Sequence, residues 1–131
     1  MGTRIVLDTN FLLIPGQFKI DIFEEIRNIM NEPYDLCIFQ ETIQELSNIA
    51  EKASKDKNNA KIALMLIKQK NLKSLKNSSI EKSYIDRIIL SNIDSKCIVC
   101  TQDQALKRLL KAKFKGLRII TLKSKKHLAL V

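Results

Sequence analysis

The spacing of hydrophobic residues divides the chain into alternating strands and helices. Nearly continuous apolar runs over 4–8, 34–39 and 96–101 are typical of strands that are covered on both faces of a sheet. A weaker run over 72–75 and a last one over 118–122 bring the predicted strands to five. Because stretches with helical spacing separate these runs, the pattern predicts an α/β fold. We expect a three-layer α/β/α sandwich with a central, mostly parallel five-stranded sheet.

Between the strands, apolar residues recur every three or four positions, as they do on one face of a helix. Asp21 as N-cap and Pro33 as a stop bound the first long helix. The later stripes are Ile43, Leu46, Ala50 and Ala53; Ala60, Ala63, Leu64 and Ile67; Ile85, Ile88, Ile89 and Ile93; and Leu106, Leu109 and Leu110. Ser78 and Glu81 have the spacing of a capping box for the helix that carries Ile85. Asp103 is placed to begin the helix that carries Leu106.

Length and composition favour one compact domain over residues 1–131. Of the 131 residues, 45% are hydrophobic, which is enough for a single core. The apolar runs are too short to cross a bilayer and the first residues lack a signal peptide, so we expect a cytoplasmic protein with no membrane partner. Three cysteines fit free thiols in a reducing compartment. Cys97 and Cys100 would point to opposite faces of one strand and so would not share a metal ion.

Charge is distributed unevenly along the chain. Residues 1–50 carry three Lys/Arg and eight Asp/Glu, whereas residues 51–131 carry twenty and six. This asymmetry indicates a polyanionic partner such as RNA, held by the second half, although a lysine-rich surface without a partner would have the same composition. The candidate contacts are Lys52, Lys55, Lys57, Lys61, Lys107, Lys111, Lys123, Lys125 and Lys126.

Four acidic side chains are predicted to meet at one edge of the sheet. Asp8 ends the first strand, and Asp103 closely follows the fourth. Glu45 lies early in the helix after the second strand, and Asp86 lies early in the helix that leads into the fourth. Helices that return across a parallel sheet begin at its carboxyl edge, where the binding sites of such sheets form. Each acid alone also has a structural interpretation, as a helix cap or an exposed helical residue.

Asp86 is the hardest of the four to explain structurally. Ile89 and Ile93 lie on nearly the same helical face, and an acid within an apolar stripe is costly unless its charge is compensated. Carboxylates about 4 Å apart repel by roughly 4 kcal/mol at an effective dielectric constant of 20. Mg²⁺ or Mn²⁺ removes that conflict because a hard cation prefers oxygen ligands. The cluster therefore predicts a metal site suited to phosphodiester hydrolysis.

Two other kinds of chemistry find no support in the sequence. The single histidine, His127, lies in the tail with no serine or cysteine beside it, which argues against a nucleophilic triad. Neither of the glycine-rich patterns that cradle nucleotide phosphates occurs.

The residues around the four acids resemble the PIN-domain family of nucleases. The resemblance runs in chain order over Val-Leu-Asp-Thr-Asn at 6–10, Glu-Leu at 45–46, Tyr-Ile-Asp at 84–86 and Thr-Gln-Asp at 101–103, followed by Leu-Lys-Arg at 106–108. The segment at 8–18, Ser-Tyr at 83–84 and the ending at 119–126 are similar to an archaeal branch related to the eukaryotic nucleases that process small-subunit rRNA. Nearly the whole chain is covered.

This resemblance implies a Mg²⁺- or Mn²⁺-dependent endoribonuclease that acts in RNA processing, such as the processing of pre-rRNA. It implies that Asp8, Glu45, Asp86 and Asp103 are the catalytic and metal-binding residues. Asn10 and Thr101 would support these carboxylates from a second layer of hydrogen bonds. Its partners would be RNA, a second copy of the chain in a homodimer, or a larger rRNA-processing complex.

One departure from the family bears on metal binding and on catalysis. Many members have a second acid directly after the third one, where this chain has Arg87. That difference favours one firmly bound ion and a weak second position, and it keeps open the alternative of a non-catalytic RNA-binding subunit of a processing complex. Another alternative, independent of Arg87, is a toxin-type PIN ribonuclease restrained by an antitoxin. Phe18, in a predicted loop after the first strand, could stack on a base, although such a residue more often fills a core.

Overall fold

The computed structural model describes residues 2–79 and 84–131, in which the strands form one mixed sheet. The strands are β1 (Thr3–Leu7), β2 (Tyr34–Phe39), β3 (Lys73–Leu75), β4 (Ile98–Cys100), β5 (Arg118–Lys123) and β6 (His127–Leu130). Their order across the sheet is β3-β2-β1-β4-β5-β6. The first five are parallel, and β6 pairs antiparallel with β5. At the centre of the sheet, Val6 of β1 is paired with Cys37 of β2 on one side and with Val99 of β4 on the other.

Helices cover both faces of this sheet. They are α1 (Thr9–Leu12), α2 (Ile14–Phe18), α3 (Ile22–Ile29), α4 (Gln40–Glu51), α5 (Lys57–Gln69), α6 (Ile85–Asn92) and α7 (Gln104–Lys113). Buried residues of α1 to α5 form one core with Ile5 and Leu7 of β1. Buried residues of α6 and α7 form a second core with Val6 on the other face. This arrangement confirms the predicted α/β/α sandwich.

Burial on both faces explains the continuous apolar runs. Ile5, Val6 and Leu7 are all fully buried, although successive side chains alternate between the two cores. Cys97 immediately precedes β4 and Cys100 ends it, and both thiols are free and buried. No helix among residues 2–79 and 84–131 is long and apolar enough to cross a membrane.

The predicted sheet of five strands was one strand short. Beyond Leu122 the chain turns back through Lys123 and adds β6 to the edge of the sheet. Ser124 and Lys125 make this turn with φ of 55° and 56°, in the left-handed region that is usually left to glycine or asparagine. Leu128 is the buried residue of β6. Neither the turn residues nor the short, mostly exposed strand carry the usual signature of a hairpin.

Two local predictions also differ from the structure. The segment after β1 is helical rather than a loop, because Pro15 stands in the first turn of α2 and Phe18 ends that helix. The third stripe of apolar residues forms α6, which begins at Ile85. The predicted capping box includes Glu81, which lies outside the described residues.

The packing of α2 on α5 gives a test of this part of the fold. A Cβ at Gly16 would stand 2.4 Å from Oδ1 and 2.9 Å from Cα of Asn59. Gly16→Ala should therefore destabilise the protein by about 1–3 kcal/mol in urea unfolding, although alanine is the better helix former. Adding Asn59→Ala should recover part of the loss. A stabilised Gly16→Ala variant would contradict this close contact.

Candidate functional site

A cleft of about 470 Å³ lies at the carboxyl edge of the sheet, where β1 and β4 end. Its lining residues are Asp8, Asn10, Glu45, Ile49, Tyr84, Ile85, Asp86 and Asp103. All four predicted acids therefore line one cavity, which we call the acid cleft. They come from four separate parts of the chain, and the topology of the sheet brings them together.

Each acid is held at the start of a helix or within its first turns. Asp8 directly follows β1 and is the N-cap of α1, and Asp103 is the N-cap of α7. Asp86 stands in the first turn of α6, and Glu45 lies in the second turn of α4. The helical N-termini carry partial positive charge, which favours carboxylates at these positions. Capping and a functional role are therefore compatible for Asp8 and Asp103.

The carboxyl group of Asp8 is the best-fixed group in the acid cleft. Asp8 is only 4% exposed. Its Oδ1 accepts a hydrogen bond from the backbone N–H of Thr9 at 2.8 Å, and its Oδ2 accepts one from Oγ1 of Thr101 at 2.8 Å. Oγ1 of Thr101 also accepts the backbone N–H of Asp103 at 3.1 Å. Thr101 thus joins the end of β1 to the start of α7.

Burial raises the pKa of Asp8 to about 6, and this is the largest influence on it. The hydrogen bonds from Thr101 and Thr9 act in the opposite direction, while the negative charges of Glu45 and Asp103 raise the pKa further. Glu45 and Asp103 are therefore both within electrostatic reach of Asp8. The ion pairs among the described residues involve other acids, so none of these four carboxylates has a lysine or arginine nitrogen of that part of the chain within 4 Å.

The other acids are less constrained than Asp8. Oδ1 of Asp103 accepts the backbone N–H groups of Ala105 and Leu106 at 2.9 and 3.1 Å, which leaves Oδ2 outside the cap. Glu45 is exposed. Asp86 is half-buried and accepts the backbone N–H of Arg87 at 2.9 Å. The buried acid that needs compensation is Asp8.

The donor set of the acid cleft suits a hard divalent cation. The four acids present oxygen ligands alone, and their mutual repulsion favours a positive charge between them. Within residues 2–79 and 84–131, no three His, Cys, Asp or Glu side chains stand close enough together to hold a metal ion between them. Mg²⁺ commonly uses one or two protein carboxylates and keeps several waters, so it does not require three such side chains at one point.

Several neighbouring residues differ from expectation. Thr101 makes the predicted kind of hydrogen bond, but exposed Asn10 makes none to a carboxylate among the described residues. Arg87 is exposed and forms no ion pair within the described part of the chain. Phe18 lines a different cavity, whereas Tyr84, which is 65% exposed, lines the acid cleft. In the sequence, the only sign that Tyr84 lies at the site was its position two residues before Asp86 in the motif.

A mostly parallel α/β sheet with a cluster of carboxylates at its carboxyl edge defines the class of protein. The model of the PIN-like domain family matches residues 5–125, and the chain belongs to this family of nucleases. Ribonuclease VapC4 of Methanocaldococcus jannaschii is 31% identical over 110 residues, which cover 82% of each chain. Members of the family generally use divalent metal ions.

Solved structures agree with this fold. The PIN domain endonuclease Utp24 superposes with a TM-score of 0.79 at 23% identity, over 97% of this chain and 90% of that one. A chain of the VapBC2 complex of Rickettsia felis, solved bound to a promoter DNA fragment, superposes with a TM-score of 0.63 at 14% identity. That match covers 92% of this chain and 100% of the other. At these identities the likeness shows the fold alone.

The burial of Asp8 predicts a stability difference that depends on pH. In the absence of metal, the folded state holds the Asp8 proton up to a pKa of about 6, whereas the unfolded chain releases it near 3.8. The native protein should therefore lose stability relative to Asp8→Asn as the pH rises from about 4 to 6. Above that range the loss should reach the order of 2–3 kcal/mol.

Urea unfolding in EDTA across this pH range measures the difference between the two proteins. Asparagine can keep both contacts, since its oxygen can accept the N–H of Thr9 and its amide can donate to Thr101. Titrating groups that do not interact with Asp8 cancel in the comparison, so the difference measures Asp8 together with its coupling to Glu45 and Asp103. A difference in the free energy of unfolding that does not change with pH would show that the carboxyl group is not perturbed by burial.

Proposed function

We propose that this chain is an endoribonuclease that hydrolyses RNA in the acid cleft with the help of Mg²⁺ or Mn²⁺. The observation that carries the proposal is the convergence of Asp8, Glu45, Asp86 and Asp103 on one cavity, with Asp8 buried near the negative charges of Glu45 and Asp103. Family membership and the 31% identity to Ribonuclease VapC4 support the same chemistry.

The residues of the acid cleft would have different roles in binding the metal ion. Asp8 offers a fixed oxygen, because Thr9 and Thr101 hold its carboxylate in one orientation. Oδ2 of Asp103 and the carboxylate of exposed Glu45 can adjust to complete the binding of an ion. When bound, a divalent cation would supply Lewis-acid stabilisation of the phosphate and lower the pKa of a water. Asp86 contributes negative charge from the side of α6.

RNA processing is the biological role that we favour. The sequence pattern at 8–18, at 83–84 and at 119–126 is similar to nucleases that process small-subunit rRNA, and the fold is close to that of Utp24. The substrate would then be a structured RNA within a larger processing complex, with the chain alone or as a homodimer. We place this activity in the cytoplasm because the three buried cysteines are free thiols, which fits a reducing compartment.

The relationship to a VapC protein favours a second role, that of a toxin ribonuclease held by an antitoxin. Expression of this chain alone would then arrest growth, Asp8→Asn would relieve the arrest, and a neighbouring gene would encode the antitoxin. A processing nuclease lacks such a partner gene. A third possibility, a non-catalytic RNA-binding subunit, rests on Arg87 in place of a second acid and predicts binding without cleavage.

Cleavage of a circular RNA tests the proposed activity, because an enzyme that needs a free end cannot cut it. The native protein should linearise the circle with Mn²⁺ or Mg²⁺ and not in EDTA. Asp8→Asn and Asp103→Asn should each lower kcat/KM at least about 100-fold, since loss of supporting residues alone costs metal sites 10- to 100-fold. Asparagine is also a good N-cap, so both variants should stay folded.

Asp94→Asn is the matched control for these variants. Asp94 lies before β4, beside Arg4 and Lys96 at the amino edge of the sheet, and does not line the acid cleft. The Asp94→Asn variant should cut the circular RNA as fast as the native protein. If Asp8→Asn and Asp103→Asn cut at the native rate, the acid cleft is not the active site. If the native protein binds RNA but leaves it intact with either metal, the non-catalytic alternative is correct.

A further inference from the structure

A lysine is anchored beside the acid cleft by a chain of hydrogen bonds. Lys107 lies one turn after Asp103 in α7, and its ammonium donates to Oγ1 of Thr121 at 2.7 Å. Thr121 is a buried residue of β5 and donates in turn to Oε1 of Gln102 at 2.8 Å. Oε1 of Gln102 also accepts the backbone N–H of Leu122 at 2.6 Å, which fixes it as an acceptor. The direction of every bond in the chain is therefore determined.

This chain of bonds connects Lys107 to the residues that hold the acids. Gln102 stands between Thr101, the partner of Asp8, and Asp103, the cap of α7. An ammonium group has three N–H donors, and the bond to Thr121 uses one of them. Lys107 thus presents its remaining donors beside the cleft from a fixed position.

Lys123 brings a second positive charge to the same place. It ends β5 at the carboxyl edge of the sheet, and the turn to β6 holds it there through the bond from Lys126 N–H to its carbonyl oxygen at 3.0 Å. Burial lowers the pKa of Lys107, the charge of Lys123 lowers it further, and the charge of Asp103 raises it. The two ammonium groups therefore act on each other.

Neither lysine has a carboxylate partner within 4 Å among the described residues. Lys111 of the same helix is different, because its ammonium donates to the carbonyl oxygens of Leu117 and Val131 at 2.6 and 3.2 Å and so ties α7 to the sheet. Two cations that repel each other, beside an acidic cavity and without an ion pair, have the character of an anion site.

We propose that Lys107 and Lys123 together bind one phosphate of the RNA strand, next to the phosphate that is cut in the acid cleft. The proposal rests on the proposed function only in taking RNA as the polyanion. A phosphodiester has two non-bridging oxygens, one for each ammonium, and its charge relieves the repulsion between them. Lys123 and Thr121, the anchor of Lys107, both lie on β5, which is one strand spacing of about 4.8 Å beyond β4, so the pair contacts a neighbouring phosphate rather than the scissile one.

Salt dependence of RNA binding tests the pair directly. Single-stranded RNA is titrated in EDTA, where it stays intact, over a range of salt concentrations with the native protein, Lys107→Met/Lys123→Met and a control pair. The control is Lys96→Met/Lys115→Met, because both exposed residues precede strands and so lie at the opposite edge of the sheet. Both double variants have the same net charge, so only position distinguishes them.

The Lys107/Lys123 variant should bind RNA about tenfold more weakly than the native protein. The slope of log Kd against log salt should become shallower by about 0.7, the value for one phosphate of a single strand. The control pair should keep the native slope. Equal losses in both double variants, or an unchanged slope in the first, would overturn the proposal.

Thr121→Val gives a second test that leaves every charge in place. It removes the anchor of Lys107, and affinity should fall about threefold because the side chain must then be ordered on binding. Its salt slope should stay native. Native affinity in this variant would contradict the role of the anchor. These results are independent of cleavage: a protein that cuts RNA but binds normally without the two lysines refutes the phosphate site alone. A protein that binds through them without cutting refutes only the nuclease activity.

Discussion

The burial of one carboxylate at the end of the central strand is the constraint on which the site depends. Asp8 is enclosed by the sheet and by α1, and its two oxygens are satisfied by Thr9 and Thr101. Those two hydrogen bonds are not enough to hold its pKa at the ordinary value, because burial outweighs them and the charges of Glu45 and Asp103 add to it. The fold therefore keeps a group in place whose charged form a nearby cation would stabilise.

The topology of the sheet explains why this need can be met at one place. β1 lies at the centre with β2 and β4 on either side, so the helices that begin after these strands start around the same edge. A helical N-terminus accepts an aspartate as its cap, and in Asp103 this role uses Oδ1 alone while the residue also lines the cleft. One side chain can therefore cap a helix and keep a second oxygen outside the cap.

Much of this arrangement could be predicted from the sequence, since it follows from local patterns. Buried parallel strands leave continuous apolar runs, and an acid at the end of such a run must lie at the carboxyl edge. Helical spacing alone placed Asp86 beside apolar residues and could not show that the first turn of α6 lines a cleft. The turn at Ser124 and Lys125 was missed because both residues adopt a left-handed conformation without the usual glycine.

Contacts between distant residues could not be predicted in this way. The anchoring of Lys107 depends on Thr121, fourteen positions away on another strand, and composition showed only that the second half is basic. Asn10 was expected to support the carboxylates on the strength of its position in the motif, but it lies exposed at the rim. A motif identifies residues that lie together at one edge of the sheet. Which of them form hydrogen bonds with each other depends on the packing of the whole structure.

A crystal structure grown with Mn²⁺, with the ion located by anomalous scattering, would show whether the acid cleft is a metal site. We expect an ion in the acid cleft with a carboxylate oxygen of Asp8 among its ligands at about 2.1 Å, and no ion there in Asp8→Asn crystals. An ion bound away from this cleft, or a cleft that stays empty at saturating Mn²⁺, would show that Asp8 does not bind the metal.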